Sequence, residues 1–544
     1  MRVDRSIFRR MLNACFILSL VVFPVIAEEG SSIARDIGRY DQLPKDRQEA
    51  LQEKLSRTAW KKLAPDERTA IQLACCERSG KILGKNAKGQ LKVVKDEGEK
   101  LILKRAGDYL NSLPPEEVPA HPAAGDIFGE IPQNARRVGR TVKVDPSVVR
   151  WHSTGLYAAP GEVVEVVFPD EWVGKGLRVQ VSGHRDNIPV KHALRRTPSS
   201  PARSFPVEEN KVKVAGTYGG AIYIDTGGRS REGEAFRVAI RNALEAPYFV
   251  LGKTDVKKWR NTLRQAPAPY AEFVTDRIAF SFPSEWIRDL DDPTELLKYW
   301  DTVVALHDEL GGMAHIRSGP ERVNVDIQIS AGLFHAGYPA QGPQKQCRGM
   351  IDLDKLKVRG NWGWFHELGH EAQRRPDKAW GWNNPYTFDG SIETTVNLFS
   401  THAMDALGMA DRGGWSWTAS AEAVEQKARK ALAMQKPFPE LGPGEKLSMY
   451  LQLRDQFGWS SIQTVLSGYT NDQDTRPDAL PKDNQAKRDA FLVRMSQATQ
   501  HNLAPFMQDL WGIPMSPEAI GQVENLPVWM PEGFAGKDAV TQAD

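Results

Sequence analysis

The sequence predicts a multidomain α+β chain, with a β-sandwich between helical segments, then a mixed α/β region and a helical tail. Three observations predict it. Between Thr141 and Ile240, short runs rich in valine and aromatics alternate with turn residues. On either side, around Lys45 and after Pro247, helical patterns take over. At 544 residues, 41% hydrophobic and 26% charged, the chain suits roughly two to four ordinary globular domains rather than a disordered or collagenous protein.

Residues 1–27 read as an export signal: a basic start, an apolar run from Ala14 to Ile26, and a small-residue end at Val25-Ile26-Ala27 where cleavage is expected. The run is broken by Pro24 and falls short of the ~20 residues that span a bilayer, so no stable membrane insertion is expected after cleavage. The expected location is secreted or periplasmic. From Lys45 to Cys76 two short helices are predicted, the second opened by Pro65-Asp66-Glu67, a proline and acids suited to a first turn. Lys81 to Lys104 is basic but interleaved with Asp96, Glu97 and Glu99, a solvated face. Leu113 to Pro132, with five prolines and two glycines, is expected to be an irregular linker.

Strands are predicted at Val163 to Phe168, Leu177 to Val181, Lys211 to Val214, Ala221 to Ile224 and Phe236 to Ile240. Asp292-Pro293 opens a helix whose Leu296, Leu297, Trp300, Val303, Val304 and Leu310 share a face, ended by Gly311-Gly312. Val323 to Ile329 alternates, predicting a strand with one polar face and a candidate edge for an extended peptide. Asn502 to Pro514 reads as a last helix and its stop.

Charge and cysteine content narrow the function. Residues 1–27 carry four arginines and one aspartate, so their removal takes the net charge from +2 to −1, which argues against phosphate-driven nucleic-acid binding. Cys75, Cys76 and Cys347 are too few for a disulfide framework; they are buried thiols or form one bridge from the pair to Cys347. Gly252-Lys253-Thr254 lacks the first glycine of a phosphate loop, since Pro247 stands there.

The chemistry concentrates in Trp364-Phe365-His366-Glu367-Leu368-Gly369-His370. At 100° per residue, His366 and His370 lie one turn apart on one helix face, and both imidazoles can bind one metal ion. Glu367 sits beside them as a general base for a water that zinc acidifies, the arrangement peptide hydrolysis requires. A third ligand is needed. Downstream, Ser391 reads as a helix cap, and Glu393 and Asn397 share a face at i and i+4: Glu393 as the third ligand, Asn397 as hydrogen-bond partner of a ligating histidine. Glu371 and Asp377 compete, but Glu371 points away from the histidine face. Trp380, Trp382 and Tyr386, between the two helices, are candidates to stack on sugar faces. Tyr338, or His335 beside it, is a candidate donor to an oxyanion.

The sequence also resembles the enhancin-like zinc metallopeptidases, gluzincins that include viral enhancins and bacterial mucin-degrading enzymes. The resemblance runs through Trp151 to Tyr157, Gly219 to Ile224, Pro267 to Glu272, Gly332 to Pro339, Phe365 to His370 with Gln373, Glu393 to Asn397 and Phe457-Gly458-Trp459. It implies a β-sandwich followed by an α/β gluzincin zinc-peptidase domain and a helical C-terminal subdomain, with zinc on His366, His370 and Glu393, Glu367 as base, and O-glycosylated, mucin-like protein as substrate. The division expected is an accessory region and linker at 28–135, the sandwich at 136–245, the catalytic domain at 246–430 and the helical subdomain at 431–544. The alternatives are a zinc peptidase on unglycosylated protein or cell-wall peptide, and an inactive glycan-binding protein of the same fold.

Overall fold

In the computed structural model, residues 32–534 are described; the expected export signal at residues 1–27 lies outside them. The first layer is helical: α1 (Lys45–Leu55), α2 (Pro65–Ile82) and α3 (Glu97–Ser112). Pro65 occupies the first turn of α2, and the Asp96 carboxylate caps α3 by accepting from Glu99 N–H at 2.9 Å. Ile71 and Cys75 of α2 pack with Ile102, Leu103 and Ala106 of α3. The proline-rich stretch expected as a linker departs from that expectation. It carries a short helix at Ala124–Phe128, and Ala123, Ile127 and Phe128 join the same core. Pro122 and Pro132 bracket this helix without entering it, so no ladder bond is lost.

The sandwich comprises β1 (Val138–Val144), β2 (Trp151–Ala158), β3 (Val164–Val167), β4 (Arg178–Val181), β5 (Arg203–Pro206), β6 (Lys211–Val214), β7 (Gly220–Asp225) and β8 (Phe236–Glu245). All pairings are antiparallel, in the order β5-β4-β7-β2-β8-β3-β6, with β1 on β8. β8 turns the corner between the two sheets: Phe236 to Ile240 pair with β1 and Ala239 to Arg241 with β3, Asn242 has φ +64°, Ala243 still pairs with Val138 of β1, and Leu244 and Glu245 pair with β2. Period-two alternation sorts the side chains. Ile222 and Ile224 of β7 face the interior with Val164, Val166, Val179 and Val238, while Tyr223 on the other face stacks on Trp151 and lies under Arg322 of the next sheet.

The following sheet runs β13-β12-β11-β10-β9, from β9 (Tyr248–Val250), β10 (Tyr270–Val274), β11 (Ile278–Pro283), β12 (Glu321–Asp326) and β13 (Ala340–Pro343); only β10 and β11 are antiparallel. β12 corrects the sequence reading twice. Its polar face is not solvated, because the sandwich covers it: Asn324 bonds Gln341 at 2.9 Å, and Arg196 grips Asp326 with two bonds of 3.0 Å. It is also not an edge, since it lies between β11 and β13. The edge on that side is β13.

Helix α4 (Thr294–Gly311) ends at Gly312, φ +64°, and lays Leu297, Trp300, Val303 and Val304 over this sheet. Two site helices follow, α5 (Trp362–Gln373) and α6 (Ile392–Ala406). The tail is built from α7 (Ala421–Ala433), α8 (Pro443–Thr475), bent at Gly458, and α9 (Asn484–Thr499). The last expected helix is a single wide turn at Pro505–Leu510. Cys75 and Cys347 are buried in separate cores and both are free, which resolves the cysteines as thiols. Among the described residues, no helix is long and apolar enough to cross a membrane.

Candidate metal centre

Helix α5 starts where the Asn361 side chain accepts from Trp364 N–H at 3.2 Å. Its apolar residues Trp364, Phe365 and Leu368 are buried with Trp300 of α4 against the sheet, leaving His366 and His370 together on the other side, ring centroids 4.6 Å apart. Helix α6 crosses α5 closely. A Cβ built on Gly369 would lie 3.0 Å from Val396 Cγ2 and 3.1 Å from the Val396 carbonyl, so the glycine inside the motif is what admits the second helix. At the start of α6, Ser391 occupies the cap position, but its hydroxyl caps nothing; the Ser391 carbonyl accepts from Thr394 and Thr395 N–H.

This crossing delivers Glu393 to the histidines. Its Oε2 lies 3.1 Å from His366 Nε2 and 3.4 Å from His370 Nε2, and one ligand atom from each of the three residues falls within 4.8 Å of the others.

The rings are oriented from behind. His366 Nδ1 lies 2.9 Å from Asn397 Oδ1, and His370 Nδ1 lies 2.7 Å from Gln373 Oε1. The amide nitrogens are already committed: Asn397 Nδ2 donates to the Glu393 carbonyl at 2.8 Å, and Gln373 Nε2 to Thr395 Oγ1 at 2.7 Å and the Ile392 carbonyl at 2.9 Å. Both amides therefore present oxygen, both Nδ1 atoms carry the proton, and both Nε2 lone pairs point to the common centre. Two imidazole nitrogens and one carboxylate oxygen are the donor set of a three-ligand zinc site with a fourth position free for water. The residues fit the metal.

Glu367 lies outside that trio. It is 8% exposed, and burial pushes its carboxyl up while the His366 and His370 charges pull it back. The competing acids are spent elsewhere: Glu371 accepts from Gly337 N–H at 2.8 Å and pairs with Lys378 at 2.5 Å, and Asp377 pairs with Arg375 at 3.1 Å.

The aromatic candidates separate. Trp380 and Tyr386 are buried, Trp380 donating to Gln473 at 2.9 Å and Tyr386 packing on Tyr469, so neither offers a face to a ligand. Their loop folds onto the helical tail, which the sequence pattern does not reveal. Trp382 is 53% exposed, its ring 5.6 Å from that of His370 and 4.7 Å under Arg374. Tyr338 is turned to the sandwich, its hydroxyl accepting from Trp151 N–H at 3.3 Å and its ring under Arg150. Gln373 carries a role that the sequence reading left unassigned; a glutamine three residues beyond a ligating histidine, on the same helix face, is the signal that points to it.

Comparison with known proteins places this geometry. The family described as Peptidase M60, enhancin and enhancin-like matches residues 242–512, and the N-terminal domain of M60-like peptidases matches residues 133–241. A TRPM8 channel-associated factor homolog of Danio rerio is 32% identical over 382 residues, 70% of this chain and 40% of its own length. The Homo sapiens TRPM8 channel-associated factor 2 is 30% identical over 379 residues, with the same coverage of 70% and 40%. The chain thus spans about 40% of the length of these relatives. Among solved structures, IMPa from Pseudomonas aeruginosa in complex with an O-glycopeptide shares the fold at TM-score 0.53 and 16% identity, over 85% of this chain and 62% of that one. A metallopeptidase from Bacteroides thetaiotaomicron does so at 0.54 and 15%, over 72% and 71%. With adjoining matches that run from residue 133 to residue 512, the chain belongs to the M60 family of enhancin and enhancin-like peptidases.

Proposed function

We propose that the protein is an exported zinc endopeptidase that cleaves peptide bonds in O-glycosylated proteins. The observation that carries this reading is the convergence of His366, His370 and Glu393, with both imidazoles fixed from behind by Asn397 and Gln373. Zinc held there would acidify a water and polarise the scissile carbonyl. Glu367 would serve as the base that takes the proton of the attacking water and returns it to the leaving amine, a task suited to a carboxylate whose affinity for protons burial has raised. Trp382, exposed beside His370 and covered on one face by Arg374, stacks on a sugar of the substrate. The glycan preference is supported by IMPa, a fold neighbour solved with an O-glycopeptide. The basic and apolar segments of residues 1–27 support export.

The test is cleavage of one O-glycoprotein before and after enzymatic removal of its glycans, with a chelator control and mass spectrometry of the fragments. Chelator-sensitive cleavage of the glycosylated form alone is expected. Equal cleavage of both forms overturns the sugar recognition, and cleavage of neither overturns the peptidase reading. Glu367→Ala is expected to abolish hydrolysis with one zinc still bound per chain; loss of zinc in that variant would make Glu367 a ligand.

A further inference from the structure

His335 lies in the hairpin that leads into β13, its backbone paired with that of Gln341 at 3.1 and 2.9 Å. The hairpin is tied to α5 through Gly337, whose N–H donates to Glu371. It is tied to the sandwich on its other side. Asp186, in the loop after β4, accepts at Oδ2 from Ser330 N–H and from His335 Nε2, both at 2.7 Å, and Arg185 donates to the Tyr338 carbonyl at 2.7 Å. The second ring nitrogen, Nδ1, lies 3.0 Å from the Ala336 carbonyl.

A carboxylate and a carbonyl are both acceptors, so these two contacts together require a proton on each nitrogen. Only the imidazolium satisfies both contacts at once. The hairpin runs along the face of α5 that carries Gly363, Glu367 and Glu371 one turn apart: a Cβ on Gly363 would lie 2.8 Å from the Phe334 ring, and Gly337 N–H bonds Glu371 at 2.8 Å, so His335 between them sits at the level of Glu367, with 27% of its side-chain surface exposed. A brace between two layers would need only the hydrogen bonds. A cation fixed from two sides at the cleft does more, because it needs no reorganisation when negative charge develops beside it.

We infer that Asp186 and His335 are a positioning pair for hydrolysis: the carboxylate of the sandwich holds a charged imidazole beside Glu367, where its field stabilises the negative charge that develops in the cleft. The catalytic part of this role rests on the peptidase reading above; the charge state of the ring does not. Residues 133–241 therefore contribute to the chemistry as well as to the fold, with Asp186 as their part in it.

The test compares the full zinc-loaded chain with Asp186→Asn, His335→Gln and the double variant. Each single change is expected to lower kcat roughly ten- to a hundredfold with KM within about twofold and zinc content unchanged, the double change to be no worse than His335→Gln, and Asp186→Glu to recover part of the loss. Multiplying effects, or loss of zinc in step with activity, overturn the pair. Independently of turnover, nitrogen NMR of histidine-labelled chain near neutral pH is expected to show the resonance missing from His335→Gln with both nitrogens protonated, and one proton lost in Asp186→Asn. A neutral wild-type ring overturns the inference. A charged ring in a chain that cleaves nothing overturns the peptidase reading and the catalytic role of the pair with it.

Discussion

At the scale of single residues, the two amides behind the histidines have both oxygen and nitrogen assigned. Gln373 shows how. Its amide nitrogen is used by Thr395 and Ile392 of the second site helix, so its oxygen is left for His370 and for nothing else. One glutamine thereby sets a tautomer and locks α5 to α6. Replacing it with alanine frees the His370 ring to rotate and to place its proton on either nitrogen. Zinc affinity is expected to fall on the order of 10- to 100-fold, read by competition with a chromophoric chelator, while the helix content in circular dichroism stays unchanged. Asn397→Ala should act through His366 in the same way. Wild-type affinity in both variants would show that the amides serve packing alone.

At the scale of elements, the loop between the two site helices is held by the tail. Asp389, in the left-handed region at φ +51°, is gripped by Arg488 and bonded by Asn484 in both directions, at 3.0 and 3.1 Å, while Lys446 donates to its carbonyl at 2.8 Å. The same loop is tied through Arg375 to Asp474 and through Lys487 to Asn383. Removal of the buried Asp389 leaves Arg488, only 14% exposed, without its anion; Asp389→Ala is expected to cost about 3 kcal/mol, the low end for a broken buried pair because Arg488 keeps some solvent. Denaturant unfolding of the metal-free chain measures it, and a change under about 1 kcal/mol would place the pair among surface bridges. These ties explain what could be read in advance. His366, His370, Glu393 and Asn397 are spaced one turn apart within their own helices, so a local period is enough to bring each pair to one face. The burial of Trp380 and Tyr386, the covering of β12, and the pairing of Asp186 with His335 across 149 residues depend on which layers meet, and no local pattern encodes that. The strand around Val212 is legible from alternation and that around Ile222 from a short apolar run between turn residues; β10 and β11, buried on nearly every side, carry no alternation.

At the scale of the whole molecule, acid stability is set by buried groups spread through several layers. His121 accepts from Ala123 N–H at 3.1 Å and faces Ser79 at 3.0 Å, and burial holds its pKa down to about 4. His307 lies between Phe365 and Phe399, and burial, with the charge of His402 second, takes it down to about 3. Both rings are neutral in the fold and take up a proton near pH 6.5 once unfolded. The unfolded chain therefore binds more protons below that pH, and their contribution, complete above about pH 6.5, is lost as the pH falls toward 4. Further down, Asp326 and Glu321 act in the same sense. Burial alone would raise both, but Arg196 beside the first and Lys378 beside the second prevail and hold each at about 2. Urea unfolding with a chelator present, from neutral pH downward, is expected to show stability declining already between pH 6.5 and 5, before the usual carboxylates titrate. A flat profile there, with loss only below pH 5, would assign acid sensitivity to carboxylates alone.

The corner strand of the sandwich bears on how the protein can be divided. The two matched stretches meet between residues 241 and 242, and that junction falls inside β8, at the residue where the strand passes from one sheet to the other. A cut there severs a strand and not a tether. The upstream piece keeps the part of β8 that pairs with β3 and most of that on β1 but loses Ala243, paired with Val138, and the end that closes onto β2, and the downstream piece begins with a strand end whose ladder partners have gone. Two stretches that are separable as text share one ladder of hydrogen bonds, and a peptidase fragment meant to stand alone has to carry the sandwich with it.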